Sequence, residues 1–136
     1  MKRTLVDTGP IVAILSRSDE HHALCVDQLR DISGRLLTCW PVITEAAWLL
    51  RNHSTAIGRL LAALDGRLFE LASLDHPDLH PIGAILAKYK GLGLQLADAA
   101  LVHLANREEI DTIFTLDRRD FGAVRLAHGK ALRLIP

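Results

Sequence analysis

Five carboxylates stand where the chain has little other reason for polarity. Asp7 closes the N-terminal run RTLV, Glu45 interrupts VITEAAWLL, and Asp98 interrupts QLADAALVHL. Asp117 and Asp120 bracket two arginines in FTLDRRDF. Each acid alone has an ordinary explanation, because aspartate favours turns and an acid in a helix's first turn complements the dipole. The helical acids, however, lie among apolar neighbours, and helices that apolar are largely buried, so their acids face a crevice. Ionised carboxylates in one crevice repel by roughly 3 kcal/mol per pair at about 5 Å and an effective dielectric near 20. Such a group takes up protons or a cation. No His/Cys ligand set accompanies the acids, which disfavours zinc and points to a hard ion, Mg²⁺ or Mn²⁺. An acid-only site for such an ion implies phosphoryl chemistry.

The elements that must position these acids follow from the hydrophobic pattern. Strands are expected at 3–6 (RTLV), 35–39 (RLLTC), 68–73 (LFELAS, the weakest), 112–116 (TIFTL) and 131–135 (ALRLI). Pro10 is expected to open a first helix, Asp19 to cap a second over 19–32, and Pro41 to open a third. Ser54 caps a fourth that stops at Gly66, the second part of 78–91 is helical, and 96–109 is an amphipathic helix. Strands separated by helices imply a parallel sheet covered on both faces, an α/β sandwich. In such a sheet the C-termini of strands and the N-termini of helices share one edge, where ligands bind. Asp7, Glu45, Asp98 and Asp117 all fall on that edge. If the first and fourth strands are neighbours, Asp7 and Asp117 sit side by side.

The chain's 136 residues predict one domain over 1–136. Its 16 basic and 16 acidic side chains cancel. No global basic field announces nucleic acid, although a metal and a local basic rim can still meet phosphates. Aromatic residues make up 4%, too few for a base-stacking sheet. Cys25 and Cys39 have no metal-binding spacing and read as reduced thiols in or near the core. No apolar run is long enough to span a bilayer and MKRTLVD lacks a signal-peptide core, which predicts a cytosolic protein.

Four motifs taken together, LVDTGPIVAIL, ITEAAWLL, LADAALVHLA and TLDRRDF, resemble the PIN-domain ribonucleases, and among them the VapC-type toxins of bacterial toxin–antitoxin pairs. The likeness covers nearly the whole chain in the right order. It implies a Rossmann-like sheet of about five strands, a Mg²⁺ or Mn²⁺ site, endonucleolytic cleavage of RNA, a homodimer, and a VapB-like antitoxin that blocks the site. Asp7, Glu45 and Asp98 match the family's core acids and Asp117 its fourth-motif acid; Asp7, Asp98 and Asp117 are the implied metal ligands. Thr115 matches a hydroxyl residue that often precedes the fourth acid. Asp120 either holds a second metal or caps a short turn before Phe121.

The remaining residues leave alternatives open. Arg118 and Arg119 either meet RNA phosphate at the rim or are a solvated turn. His21 and His22 follow two acids but stand at a helix start, where such residues are usually solvated. His103 reads as a packed histidine, and Trp40 and Trp48 as core or dimer contact. Ile11, Ile14, Leu15, Trp48 and Leu49 exceed what one core face needs, so either some of them form a groove for a partner helix or all pack on the sheet or at the homodimer contact. Gly91 and Gly93 lack the strand–GxGxxG–helix context of a nucleotide loop. A receiver domain would need an acidic pair at the first strand, and a haloacid-type phosphatase a second Asp where Gly9 stands. A housekeeping RNA-processing nuclease of the same fold and a non-catalytic PIN-like binding module are the competing readings.

Overall fold

The structure is a computed structural model and describes residues 2–136. Five strands, β1 (Arg3–Val6), β2 (Arg35–Thr38), β3 (Glu70–Leu71), β4 (Thr112–Phe114) and β5 (Arg133–Ile135), form one sheet in the order β3-β2-β1-β4-β5. Every pairing is parallel. In β1, Leu5 and Val6 are both fully buried, as are Ile113 and Phe114 in β4. Successive strand side chains point to opposite faces, so helices must cover both sides of the sheet's centre.

Seven helices do so among the described residues: α1 (Thr8–Leu15), α2 (His22–Asp31), α3 (Trp40–Leu49), α4 (Ala56–Asp65), α5 (Leu79–Lys88), α6 (Leu96–Arg107) and α7 (Arg118–Ala123). Eight α6 residues are buried, from Ala97 to Ala105. Four are alanines, whose small side chains let neighbouring backbones approach. α6 packs on α3 and α5. No helix among the described residues is long and apolar enough to cross a membrane.

Local boundaries differ from the pattern-based expectation for identifiable reasons. α1 starts at Thr8 rather than Pro10, because the Asp7 carboxylate accepts from Thr8 N–H and caps the helix two residues earlier. Pro10 then occupies the third position, where a missing N–H leaves nothing unsatisfied. α2 starts at His22 rather than Asp19, whose carboxylate instead accepts from His21 N–H in the preceding turn. Thr55, not Ser54, precedes α4. The third strand shrinks to two residues at the sheet edge. Gly34 enters β2 with φ +90, and a Cβ there would lie 2.1 Å from the Lys2 carbonyl oxygen, so glycine is required.

The far end of α6 is fixed by a buried polar cluster. Asp78 ends a 3-10 turn (His76–Asp78) and accepts from Asp75 N–H (2.7 Å), His103 Nε2 (2.7 Å) and Arg107 Nη1 (3.0 Å). His103 is thus a packed histidine, as its apolar setting suggested. The Asp75 backbone N–H first, then His103 and Arg107, hold the Asp78 carboxyl well below the usual carboxylate range. Its stabilising contribution is therefore full at neutral pH and is lost as acid protonates it. Asp78→Asn should melt several degrees below wild type at pH 7, with the gap closing below about pH 4. Circular dichroism melts across pH check this; a constant gap down to pH 2 contradicts it.

Candidate active site

The strand order puts β1 beside β4 at the centre of the sheet, and the acids gather at the carboxyl edge of that pair. Asp7 N–H donates to the Phe114 carbonyl (2.9 Å), joining the two strand ends. A pocket of about 540 Å³ opens there, and its wall includes Asp7, Glu45, Asp98, Asp117 and Asp120. Four separate segments supply them: the end of β1, the second turn of α3, the first turn of α6, and the start of α7.

The acids are not equivalent. Asp7 is 7% exposed. Its Oδ1 accepts from Thr8 N–H (2.8 Å) and its Oδ2 from the Thr115 hydroxyl (2.7 Å). Thr115 Oγ1 in turn accepts from Asp117 N–H (3.0 Å). One hydroxyl therefore ties the acid of β1 to the segment carrying Asp117. The fully buried Thr115 is more than a β-branched strand filler. Asp98 Oδ2 accepts from Gln95 N–H (2.9 Å) in a capping box that opens α6.

Asp117 caps α7 through Asp120 N–H (3.0 Å). The short turn expected before Phe121 is thus a helix whose first turn contains Asp120. Its backbone, not its carboxylate, makes the cap, while its side chain belongs to the pocket wall. The hydrophobic pattern gave no sign of α7, because six residues are too few to establish a helical period.

Burial pushes the Asp7 carboxyl up from 3.8 to about 6, against the lowering pull of Thr115 and Thr8; Asp98 and Glu45 add repulsion. Burial also raises Asp98, with Gln95 N–H opposing and Asp117 and Asp120 adding like charge. The mutual repulsion places these acids in one electrostatic field. A cation would relieve it, and the donor set fits one kind of ion. The wall contains carboxylates but no His or Cys. Among the described residues no three His, Cys, Asp or Glu side chains are already close enough to grip an ion. The acids ring an open pocket instead of closing a cage. That suits a hard ion that retains several waters and binds through few carboxylates.

Other candidates lie elsewhere or in different roles. Arg118 and Arg119 are exposed at the start of α7, and Arg118 donates to the Pro136 carbonyl. His22 Nδ1 bonds the Ala13 carbonyl (2.6 Å), and His21 lies 3.8 Å from both Asp19 and Glu20. Trp40 and Trp48 are not core residues: they are 57% and 63% exposed. With Pro41, Thr44, Leu96 and Ala97 they line an apolar groove that shares Glu45 and Gln95 with the acidic pocket. Arg51 stacks over the Trp48 ring at 3.9 Å. Ile11 is fully buried and drops out of any partner groove, whereas Leu49, Ile57 and Leu61 are exposed on α3 and α4. Sequence reasoning missed Thr8, Gly9 and Gln95 in the pocket wall; the first two adjoin Asp7, and the third caps the helix of Asp98.

Comparison with known proteins gives a consistent picture. The PIN domain family matches residues 4–126. The chain is 33% identical over 135 residues to ribonuclease VapC26 of Mycobacterium tuberculosis, covering 97% of this chain and 99% of that protein. Among solved structures it is similar to VapC20 of M. tuberculosis, described as a sarcin–ricin loop cleaving toxin, with TM-score 0.79 and 17% identity over 88% of this chain and 93% of that one. It is also similar to a toxin–antitoxin complex from Klebsiella pneumoniae (TM-score 0.68, 18% identity, 89% and 92% covered). VapBC2 of Rickettsia felis, bound to a DNA fragment from its promoter, has TM-score 0.67 and 15% identity over 98% and 97%. At these identities the solved structures speak to the fold.

The raised Asp7 carboxyl has a consequence for stability. The folded chain binds the Asp7 proton more tightly than the unfolded chain, so stability falls as pH rises from about 4 to about 6 and the deficit is complete above that range. The tighter proton binding corresponds to ~3 kcal/mol, an upper bound because an asparagine would keep only part of the hydrogen bonding. In EDTA, Asp7→Asn should melt above wild type near pH 7.5, with the advantage gone by about pH 4. Paired thermal melts at the two pH values decide it; equal midpoints near pH 7.5 contradict the burial argument.

Proposed function

The chain belongs to the PIN-domain family, and on that premise we propose that it is a divalent-metal-dependent endoribonuclease acting as the toxin of a VapBC-type pair. The observation that supports this most directly is the acidic pocket at the β1/β4 edge, ringed by Asp7, Glu45, Asp98 and Asp117. Asp7, Asp98 and Asp117 are the residues to hold Mg²⁺ or Mn²⁺, since each carboxylate retains acceptor capacity beyond the donors it already has. When bound, the ion polarises the phosphodiester and lowers the pKa of a bound water. Thr115 keeps Asp7 and the Asp117 segment in register. Glu45, in the second turn of α3 and on the pocket wall, accepts a proton as water oxygen bonds to phosphorus and the leaving oxygen departs with a proton from solvent. Arg118 and Arg119, exposed beside Asp117, meet the RNA backbone at the rim.

Cleavage of total RNA with MnCl₂ tests the enzyme directly. Activity should vanish in EDTA and drop by at least about a hundredfold in Asp98→Asn, as expected when an electrostatic element of a site is removed. Full activity in EDTA sinks the metal mechanism.

Two protein partners complete the proposal. The exposed Trp40–Trp48–Leu96 groove is the surface for a second copy, because large contiguous apolar patches mark interfaces and tryptophan is enriched there. An antitoxin is expected to lay a helix along the exposed residues of α3 and α4 and to insert an Arg or Lys among the carboxylates in place of the cation. Light scattering should give a dimer for wild type and a monomer for Trp40→Ser/Trp48→Ser. Co-expression with an adjacent small reading frame should yield a copurifying, inactive complex. A wild-type monomer at every concentration defeats the first, and a freely active, non-toxic chain defeats the second.

A further inference from the structure

The wall of the acidic pocket includes no Lys, Arg or His, yet the segments that lead away from it are basic. Gly93 and Gln95 of the wall close the run LAKYKGLGLQ (86–95), which carries Lys88 and Lys90 and no acid. Asp120 of the wall is followed by FGAVRLAHGKALR (121–133), which carries Arg125, Lys130 and Arg133 and again no acid. Lys88, Lys90 and Arg125 are exposed. None of these three has a carboxylate partner among the described residues, whereas Arg3, Arg35 and Arg107 each do.

Tyr89 joins the two segments. Its hydroxyl accepts from Arg125 N–H (2.9 Å) and donates to the Arg125 carbonyl (3.3 Å). Lys88 Nζ lies 5.4 Å from the centroid of the Tyr89 ring, within cation–π reach. One aromatic ring thus connects Lys88 to Arg125. Arg125 Nη1 donates to the Gly122 (2.8 Å) and Val124 (2.9 Å) carbonyls. Those bonds fix the guanidinium, while Nε and Nη2 keep their donors free among the described residues. Lys90 is one tight turn from the pocket: its carbonyl accepts from Gly93 N–H (3.3 Å) at the end of a 3-10 turn (Lys90–Leu92), and Gly93 lines the wall.

We propose that Lys88, Lys90 and Arg125 form a track for the phosphates of single-stranded RNA on one flank of the scissile bond, with Tyr89 as the residue that positions it. The proposal rests on the nuclease reading above and deepens it by naming the surface that retains the substrate outside the pocket. The division of labour follows from charge. Five carboxylates on the wall repel RNA wherever a metal does not compensate them, so cations beyond the wall must supply the attraction. Exposed lysines without carboxylate partners can take up phosphates and release their counterions. A guanidinium already fixed by backbone carbonyls offers its remaining donors to phosphate oxygens. The track runs up to the pocket in which a phosphodiester reacts, which favours RNA over an acidic protein surface as its occupant.

The test measures binding and cleavage on the full chain. Anisotropy of a fluorescein-labelled single-stranded RNA in MnCl₂, on an Asp98→Asn background that leaves the RNA uncut, gives Kd as a function of salt. Lys88→Gln/Lys90→Gln should weaken binding about tenfold at low salt and flatten the slope of log affinity against log salt by about 1.4, as expected for two lost phosphate contacts. Adding Arg125→Gln should flatten it by a further ~0.7. Lys2 precedes β1 and Arg30 lies in the last turn of α2, at the opposite edge of the sheet. Lys2→Gln/Arg30→Gln makes the same charge change there and should leave Kd and slope as they were. In cleavage by the otherwise wild-type chain, the lysine variant should raise KM about tenfold and hold kcat within about twofold, the split produced by contacts of equal strength in ground and transition states. Shortening the RNA on one flank of the mapped cut should raise KM for wild type and not for the lysine variant. The lysine variant should melt with wild type, since both side chains are exposed. An unchanged Kd and slope, or equal losses in Lys2→Gln/Arg30→Gln, overturn the track. So does a lysine variant that keeps its RNA binding and loses a copurifying protein partner. A wild-type chain that leaves RNA intact in MnCl₂ overturns the nuclease reading instead, a failure that the anisotropy does not share.

Discussion

The structure depends on keeping a carboxylate almost out of water at the end of its central strand. Asp7 has two donors, Thr8 N–H and the Thr115 hydroxyl, and burial still pushes its carboxyl up to about 6. A group so placed is tolerable only if the surrounding backbone is rigid, since each lost donor would add to the desolvation cost. The donors come from the start of α1 and from the residue after β4, so the β1/β4 pairing and the α1 cap are jointly required by one side chain. The sheet's central position for β1 supplies that rigidity on both flanks.

The other walls are positioned by elements with their own anchors. α6 brings Asp98 to the pocket at one end, while His103 and Arg107 bind Asp78 toward the other. Its alanine-rich faces let it lie deep in the core. The helix acts as a strut between a charge-compensated cluster and one whose wall has no counter-charge. The difference between the two clusters is one of counter-charge. Asp78 has Arg107 beside it, whereas the acid pocket's wall includes no Lys, Arg or His.

Much of this was legible in the residues. Strand positions followed from short apolar runs, and parallel pairing from the helices between them. The shared edge of Asp7, Glu45, Asp98 and Asp117 followed from the polarity of crossovers. Features set by single side chains were not legible. The capping of α1 by Asp7 depends on a carboxylate turning back to the backbone, which no periodicity reports. α7 is too short to have a period. Trp40 and Trp48 read as core or dimer contact, and the core half of that reading fails: the three phenylalanines take the fully buried places and the tryptophans are turned outward. The Asp78–His103 contact spans 25 residues, a separation that no local pattern reports.

The bond from Thr115 to Asp7 joins residues 108 apart in the chain, and this separation sets a timetable. During synthesis from the N-terminus, Asp7, Glu45 and Asp98 all exist before β4 and Asp117 have been made. Until β4 docks against β1, one flank of the central strand is open, Thr115 is missing, and the pocket has no floor. Closing so long a loop precedes any reward from the contacts it makes. Catalytic competence therefore waits for β4, and a fragment ending before β4 would carry most of the acids without the means to assemble them.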